Sequence, residues 1–108
     1  MSRRLFAKCR NLTENMLRWS TDLGEANRII ERLATDFAGK GLINEAQAME
    51  LNRLASTLEL HGIGGGDFKL QLAQELYDRR DSFFPEGDID KLLRATGGQR
   101  ADFDHYYL

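Results

Sequence analysis

Apolar side chains recur along the first third of the chain in alternating steps of four and three. Leu5, Cys9, Leu12, Met16, Trp19, Leu23, Ala26, Ile30, Leu33 and Phe37 hold this register without a slip. At about 100° of rotation per residue, such spacing lines them along one side of a helix. Phe6, Leu17, Ile29 and Ala34 widen the seam into a stripe suited to a globular core as well as to a coiled coil. No period-two alternation competes, so residues 3–38 are predicted helical.

Continuity through the middle of this segment is a separate question. Ser20-Thr21-Asp22-Leu23-Gly24-Glu25 places Asp22 three residues before Glu25, a capping-box-like spacing, and Gly24 is a poor interior helix former. A break there makes a helical hairpin. The unbroken register favours a continuous or slightly kinked helix instead. Such a helix, about 35 residues long, would reach ~53 Å, about twice the ~27 Å diameter of a compact domain of this size. Its seam would then need a second chain to cover it.

Further along, Gly39-Lys40-Gly41 stops the segment, since either glycine can take the left-handed cap conformation. Asn44 with Gln47 three residues on marks a new start, and helix two is predicted to run to about Leu60 with Ala48, Leu51, Leu54, Ala55 and Leu58 inward. Gly62-Ile63-Gly64-Gly65-Gly66 reads as a flexible loop, and Asp67 caps a helix over about 68–80 that buries Phe68, Leu72, Ala73 and Leu76. A turn-rich connection containing Phe83, Phe84 and Pro85 leads to a short helix from Ile89 to about Thr96. The expected fold is all-α: a small bundle of four or five helices with a long N-terminal helix or helical hairpin, glycine-rich loops and an aromatic C-terminal tail. Residues 1–98 form the single domain and 99–108 a tail, serving as a lid or as a docking segment.

Composition narrows the functional classes. The chain has 108 residues, one proline, one cysteine and two histidines. One cysteine allows no internal disulfide, which suits a reducing, cytoplasmic setting. Cys and His together are too few for a Cys/His zinc site. The charged start offers no signal-peptide core, and no apolar run approaches the ~20 residues of a membrane span. No membrane association is expected. The net charge of −2 divides into +2 for residues 1–54 and −4 for residues 55–108.

Chemistry-bearing candidates are sparse. The glycine cluster follows a helix, lacks the Lys-Ser/Thr of a phosphate loop and is followed by Asp67, so it reads as a linker. His61 beside it suits a helix end through the helix dipole. Cys9 has Arg3, Arg4, Lys8 and Arg10 nearby in sequence but sits on the apolar seam, where a thiol behaves as a small hydrophobe. Glu86, Asp88 and Asp90 lack the glycine and glutamate positions of a calcium loop and are explained by a helix start. No helix-turn-helix pattern with a basic reading helix is present.

What remains is surface for binding. No catalytic residue, metal or cofactor is expected. The chain is expected to act as a non-catalytic protein–protein interaction module, an adaptor, inhibitor or accessory subunit that uses an apolar helix face on a protein partner or on a second copy of itself. Candidate partner-binding residues are the basic Arg3, Arg4, Lys8 and Arg10 and the aromatic or apolar Phe83, Phe84, Phe103, Tyr106, Tyr107 and Leu108. The alternative is nonspecific nucleic-acid binding through the basic N-terminal helix.

Overall fold

A computed structural model describes residues 3–18, 20–60, 68–84 and 88–96. Six helices account for most of them: α1 (Arg3–Met16), α2 (Leu23–Gly39), α3 (Glu45–Leu60), α4 (Phe68–Asp78), α5 (Arg80–Phe83) and α6 (Asp88–Ala95). No strand occurs among the described residues. The glycine cluster at 62–66, Asp67, Trp19, residues 85–87 and the tail at 99–108 lie outside them.

The expectation of a continuous first helix is corrected. α1 ends at Met16 and α2 begins at Leu23. Local hydrogen bonds separate them: the Ser20 hydroxyl and its backbone N–H both donate to the Leu17 carbonyl, at 2.8 and 3.1 Å. Asp22 is extended, with φ −142° and ψ 168°, and its Oδ1 accepts the Glu25 N–H at 2.7 Å. Serine and aspartate offer the backbone partners that helix continuation would otherwise supply, and so they end one helix and cap the next. A packed hairpin of these two helices is not formed either. α1 lies chiefly along α4 and also meets α6, whereas α2 lies along α3.

The register survives the break because both halves of the seam face one core. Cys9 and Leu12 on α1, and Ala26, Ile30 and Phe37 on α2, are buried with Leu54, Leu72, Leu76 and Leu93 from the other helices. Leu17, within the connection, is buried too. Leu5 and Leu33 sit at the edge, partly exposed. Tyr77 is interior, with its ring 5.8 Å from that of Phe6 in an edge-on contact that ties α4 to α1. The molecule measures 31 × 30 × 25 Å with a radius of gyration of 12.8 Å, which leaves no room for a ~53 Å rod.

Two caps were legible and form as their residue types require. At the end of α2, Gly41 adopts φ +74°. Its N–H donates to the Ala38 carbonyl at 3.1 Å and the Leu42 N–H to the Phe37 carbonyl at 2.9 Å. This is a Schellman closure, with Leu42 folded onto the core beside Phe37. At the start of α3, the Gln47 N–H donates to Asn44 Oδ1 at 2.8 Å and the Asn44 N–H to Gln47 Oε1 at 2.7 Å, a complete capping box. Gln47 Nε2 also donates to the Phe83 carbonyl at 3.0 Å, so one side chain caps α3 and anchors the end of α5.

The two glycines around the α2 terminus should respond differently to alanine. No atom lies within 4 Å of a Cβ built on either one. Gly41→Ala is nevertheless expected to destabilise by about 1–2 kcal/mol, because its backbone is left-handed. Gly39→Ala, inside the helix, should be neutral or stabilising by up to about 1 kcal/mol. Urea unfolding of both variants checks this.

Candidate functional site

Helical geometry scatters the basic residues that adjoin in sequence. Lys8 and Arg10 leave α1 in directions about 200° apart. Lys8 reaches across to α6 and pairs with Asp90, Nζ to Oδ1 3.3 Å, with side chains only 15% and 20% exposed. Arg10 pairs with Glu14 on its own helix at 3.2 Å. Arg3 and Arg4 are on the surface. The four cations therefore form no common track for a phosphate backbone. Lys8 is instead a tie between helices.

The remaining candidates divide between core and undescribed regions. Phe83 is 3% exposed and belongs to the core, a correction to its expected docking role. Phe84 is half-buried against the same core, its ring 5.9 Å from that of Phe83. The apolar pair had no visible destination in the sequence, because the helices it packs against and the Gln47 side chain that holds the Phe83 carbonyl are distant along the chain. Phe103, Tyr106, Tyr107, Leu108 and His61 lie outside the described residues. Asp88 and Asp90 occupy the first turn of α6, where carboxylates complement the helix dipole.

Cys9 is fully buried, and burial pushes its thiol up from 9.0 to about 12, a rise only partly opposed by the Arg80 guanidinium. A thiol protonated at neutral pH is a poor nucleophile. Among the described residues, no three His, Cys, Asp or Glu side chains are grouped so that they could hold a metal ion. No helix among them is long and apolar enough to cross a membrane.

One patch of partly exposed apolar surface lies along α2. An open depression of about 730 Å³ is lined by Met16 from the end of α1 and by Ile29, Arg32, Leu33 and Asp36 of α2, among others. Ile29 and Leu33 are one turn apart on the same side of the helix, half-buried against the core from beneath. Beside them, also one turn apart, stand the exposed Arg28 and Arg32. Neither arginine forms an ion pair or hydrogen bond with any described residue. Asp36, the carboxylate one turn beyond Arg32, is taken by Lys40 at 2.9 Å. The result is a narrow apolar strip whose border carries both signs, Arg32 with Glu31 and Asp36.

Sequence reasoning counted Leu33 into the buried seam and Ile29 into its widened edge, and passed over both arginines. A signal was present: Arg28-Ile29 and Arg32-Leu33 repeat the same pair of residue types at a four-residue step. Positions 29 and 33 differ from 26, 30 and 37 only in lying at the margin of the stripe, and burial at a margin depends on the neighbouring helix.

No protein-family model, curated protein or solved structure matches the chain.

The thiol gives a direct check on the interior. Cys9 in the folded protein should resist a thiol reagent at pH 8 and react at once in urea. Its folded value of about 12 lies above the ordinary 9.0. The stabilising contribution of the protonated form is therefore complete below pH 9 and is lost as pH rises toward 12. Cys9→Ala should remove that part of the alkaline loss in stability measured by urea titration.

Proposed function

We propose that the chain is a non-catalytic protein–protein interaction module, an adaptor, inhibitor or accessory subunit that docks on a protein partner through the outer face of α2. The observation that carries this reading is the depression beside Met16, floored by Ile29 and Leu33, which are partly buried at the margin of the apolar seam. Exposed apolar side chains scattered singly, such as Met49 on α3 at 53%, need no such explanation. A partly buried pair at helical spacing, on a rigid helix and flanked by charge, suits helix-in-groove recognition.

Its protonated, buried thiol gives the chain no activated sulfur nucleophile, which supports a binding role over a catalytic one. The nucleic-acid alternative loses two of its four cations to ion pairs with Asp90 and Glu14. A single buried cysteine suits a cytoplasmic setting. Because the strip is small beside the ~1,200–2,000 Å² of a standard stable interface, the docking is read as weak or transient, or as one part of a larger contact.

Quantitative affinity capture from the native host tests the reading with four baits: wild type, Leu33→Asp, Arg32→Glu at an exposed position, and Met49→Asp as a control elsewhere on the surface. Circular dichroism verifies that each bait is folded. A protein retained by wild type and Met49→Asp but lost with both α2 variants supports it. Equal capture by all four overturns it.

A further inference from the structure

We propose that α6 is a strap that lifts from α1 as a unit while the rest of the fold stays closed, a local opening poised by the polar side of α1 on which it lies. The opening involves a different face of the molecule from the α2 depression. Its packing is lopsided. α1, α2, α3 and α4 each pack against at least two other helices, whereas α6 lies chiefly against α1. With 8 residues, α6 is too short to keep a helical form in water by itself. Its helicity therefore depends on docking, and lifting away and unwinding are one event. The grip is small: Ile89, Leu92 and Leu93 are buried, and Asp90 holds Lys8 at 3.3 Å.

What α6 covers is unusual for a permanently buried face. On α1, Phe6 turns to Tyr77 of α4 and Lys8 to Asp90 of α6. These two directions are about 200° apart around the helix. Asn11, Leu12 and Asn15 lie within about 60° of Lys8, on the side of α6. Of these four residues only Leu12 is apolar. Asn11 is 9% exposed, and its Nδ2 is buried with no hydrogen-bond partner; Asn15 Nδ2 is in the same state. Among the described residues the other side-chain amide atom buried and unpaired is Asn52 Oδ1, on α3. An amide donor shut away from water without an acceptor carries a free-energy penalty that its return to solvent removes. Lys8 likewise regains hydration when its pair opens. Docking thus gains from three apolar side chains and loses on the polar ones beneath them. The closed and lifted states therefore lie closer in free energy than the folded and unfolded chain do. A face that is always covered gains nothing from unpaired asparagines, whereas one that meets water part of the time does.

Native-state amide hydrogen exchange on the full chain, resolved by residue with NMR, tests the strap. In wild type the amides of Leu92 to Thr96 are expected to exchange on the order of a hundredfold faster than the slowest amides of α2 and α3, with little response to low urea. Ile30→Val weakens the core in the closed and lifted states alike. It should speed the slowest core amides about two- to tenfold and leave α6 unchanged. Two further variants move the poise in opposite directions. Lys8→Met keeps the apolar stem, removes the pair and should speed exchange in α6 about two- to fivefold. Asn11→Leu replaces an unpaired amide with an apolar group of similar size and should slow it about tenfold. Amides of α6 that match the slowest core amides in wild type, or accelerate with them in Ile30→Val, place α6 within one cooperative unit and overturn the proposal. Exchange in α6 as fast as in an unstructured peptide means no docked strap and overturns it as well. Faster α6 exchange in Asn11→Leu is the result expected if a trapped water satisfies the amide, and it overturns the role given to the polar side of α1. So does an α6 indifferent to both Lys8→Met and Asn11→Leu.

Discussion

Cys9, Leu12, Ala26, Ile30 and Phe37 are each at most 1% exposed, and together they are the constraint on which the rest of the molecule depends. Burying a large aliphatic or aromatic side chain stabilises by about 1.5–3 kcal/mol. A stripe of this length cannot be left in water by a protein whose net stability is only about 5–15 kcal/mol. A straight helix would have to recruit a second chain to cover it. Breaking the helix after Met16 lets α4 cover the first half and α3 the second, within one chain. Every other element serves that closure. The Schellman turn at Gly41 reverses α2 into α3, the Asn44–Gln47 box starts α3 in the right place, and the Lys8–Asp90 pair fixes α6 over α1.

Helix type and helix ends were written locally, and so they could be read. Asp22 before Glu25, Gly41 after Phe37 and Asn44 before Gln47 each meet a backbone need within a few residues, and each makes the hydrogen bonds that its chemistry allows. Continuity was misread for a physical reason. A four-three register records which way a side chain faces, and two helices that share a core keep that direction whether or not they are joined. Ser20 was the overlooked residue; its hydroxyl, bonded to the Leu17 carbonyl, closes α1. Neighbours in sequence were also poor guides to neighbours in space. Lys8 and Arg10 part around the helix, and Phe83 turns inward to a partner on α3 that no local pattern could announce.

The candidate face follows from the same closure. Once α3 and α4 have covered the centre of the stripe, its margin on α2 is left over, and there Ile29 and Leu33 stay partly exposed beside Arg32, Glu31 and Asp36. An apolar margin on a rigid helix holds its geometry without further ordering, which lowers the entropic cost of docking. The thiol and Phe83, which look reactive or adhesive in a linear reading, are spent on the interior.

The claim that the seam is an internal core, not an interface, is tested most directly by placing a charge at its two best-buried large aliphatic positions, Leu12 and Ile30. Light scattering and thermal melts followed by circular dichroism should be read together on Leu12→Asp and Ile30→Asp. A monomeric wild type, with both variants losing their cooperative melt, is the predicted result. Variants that keep a wild-type melt while the particle mass falls by half would contradict the account.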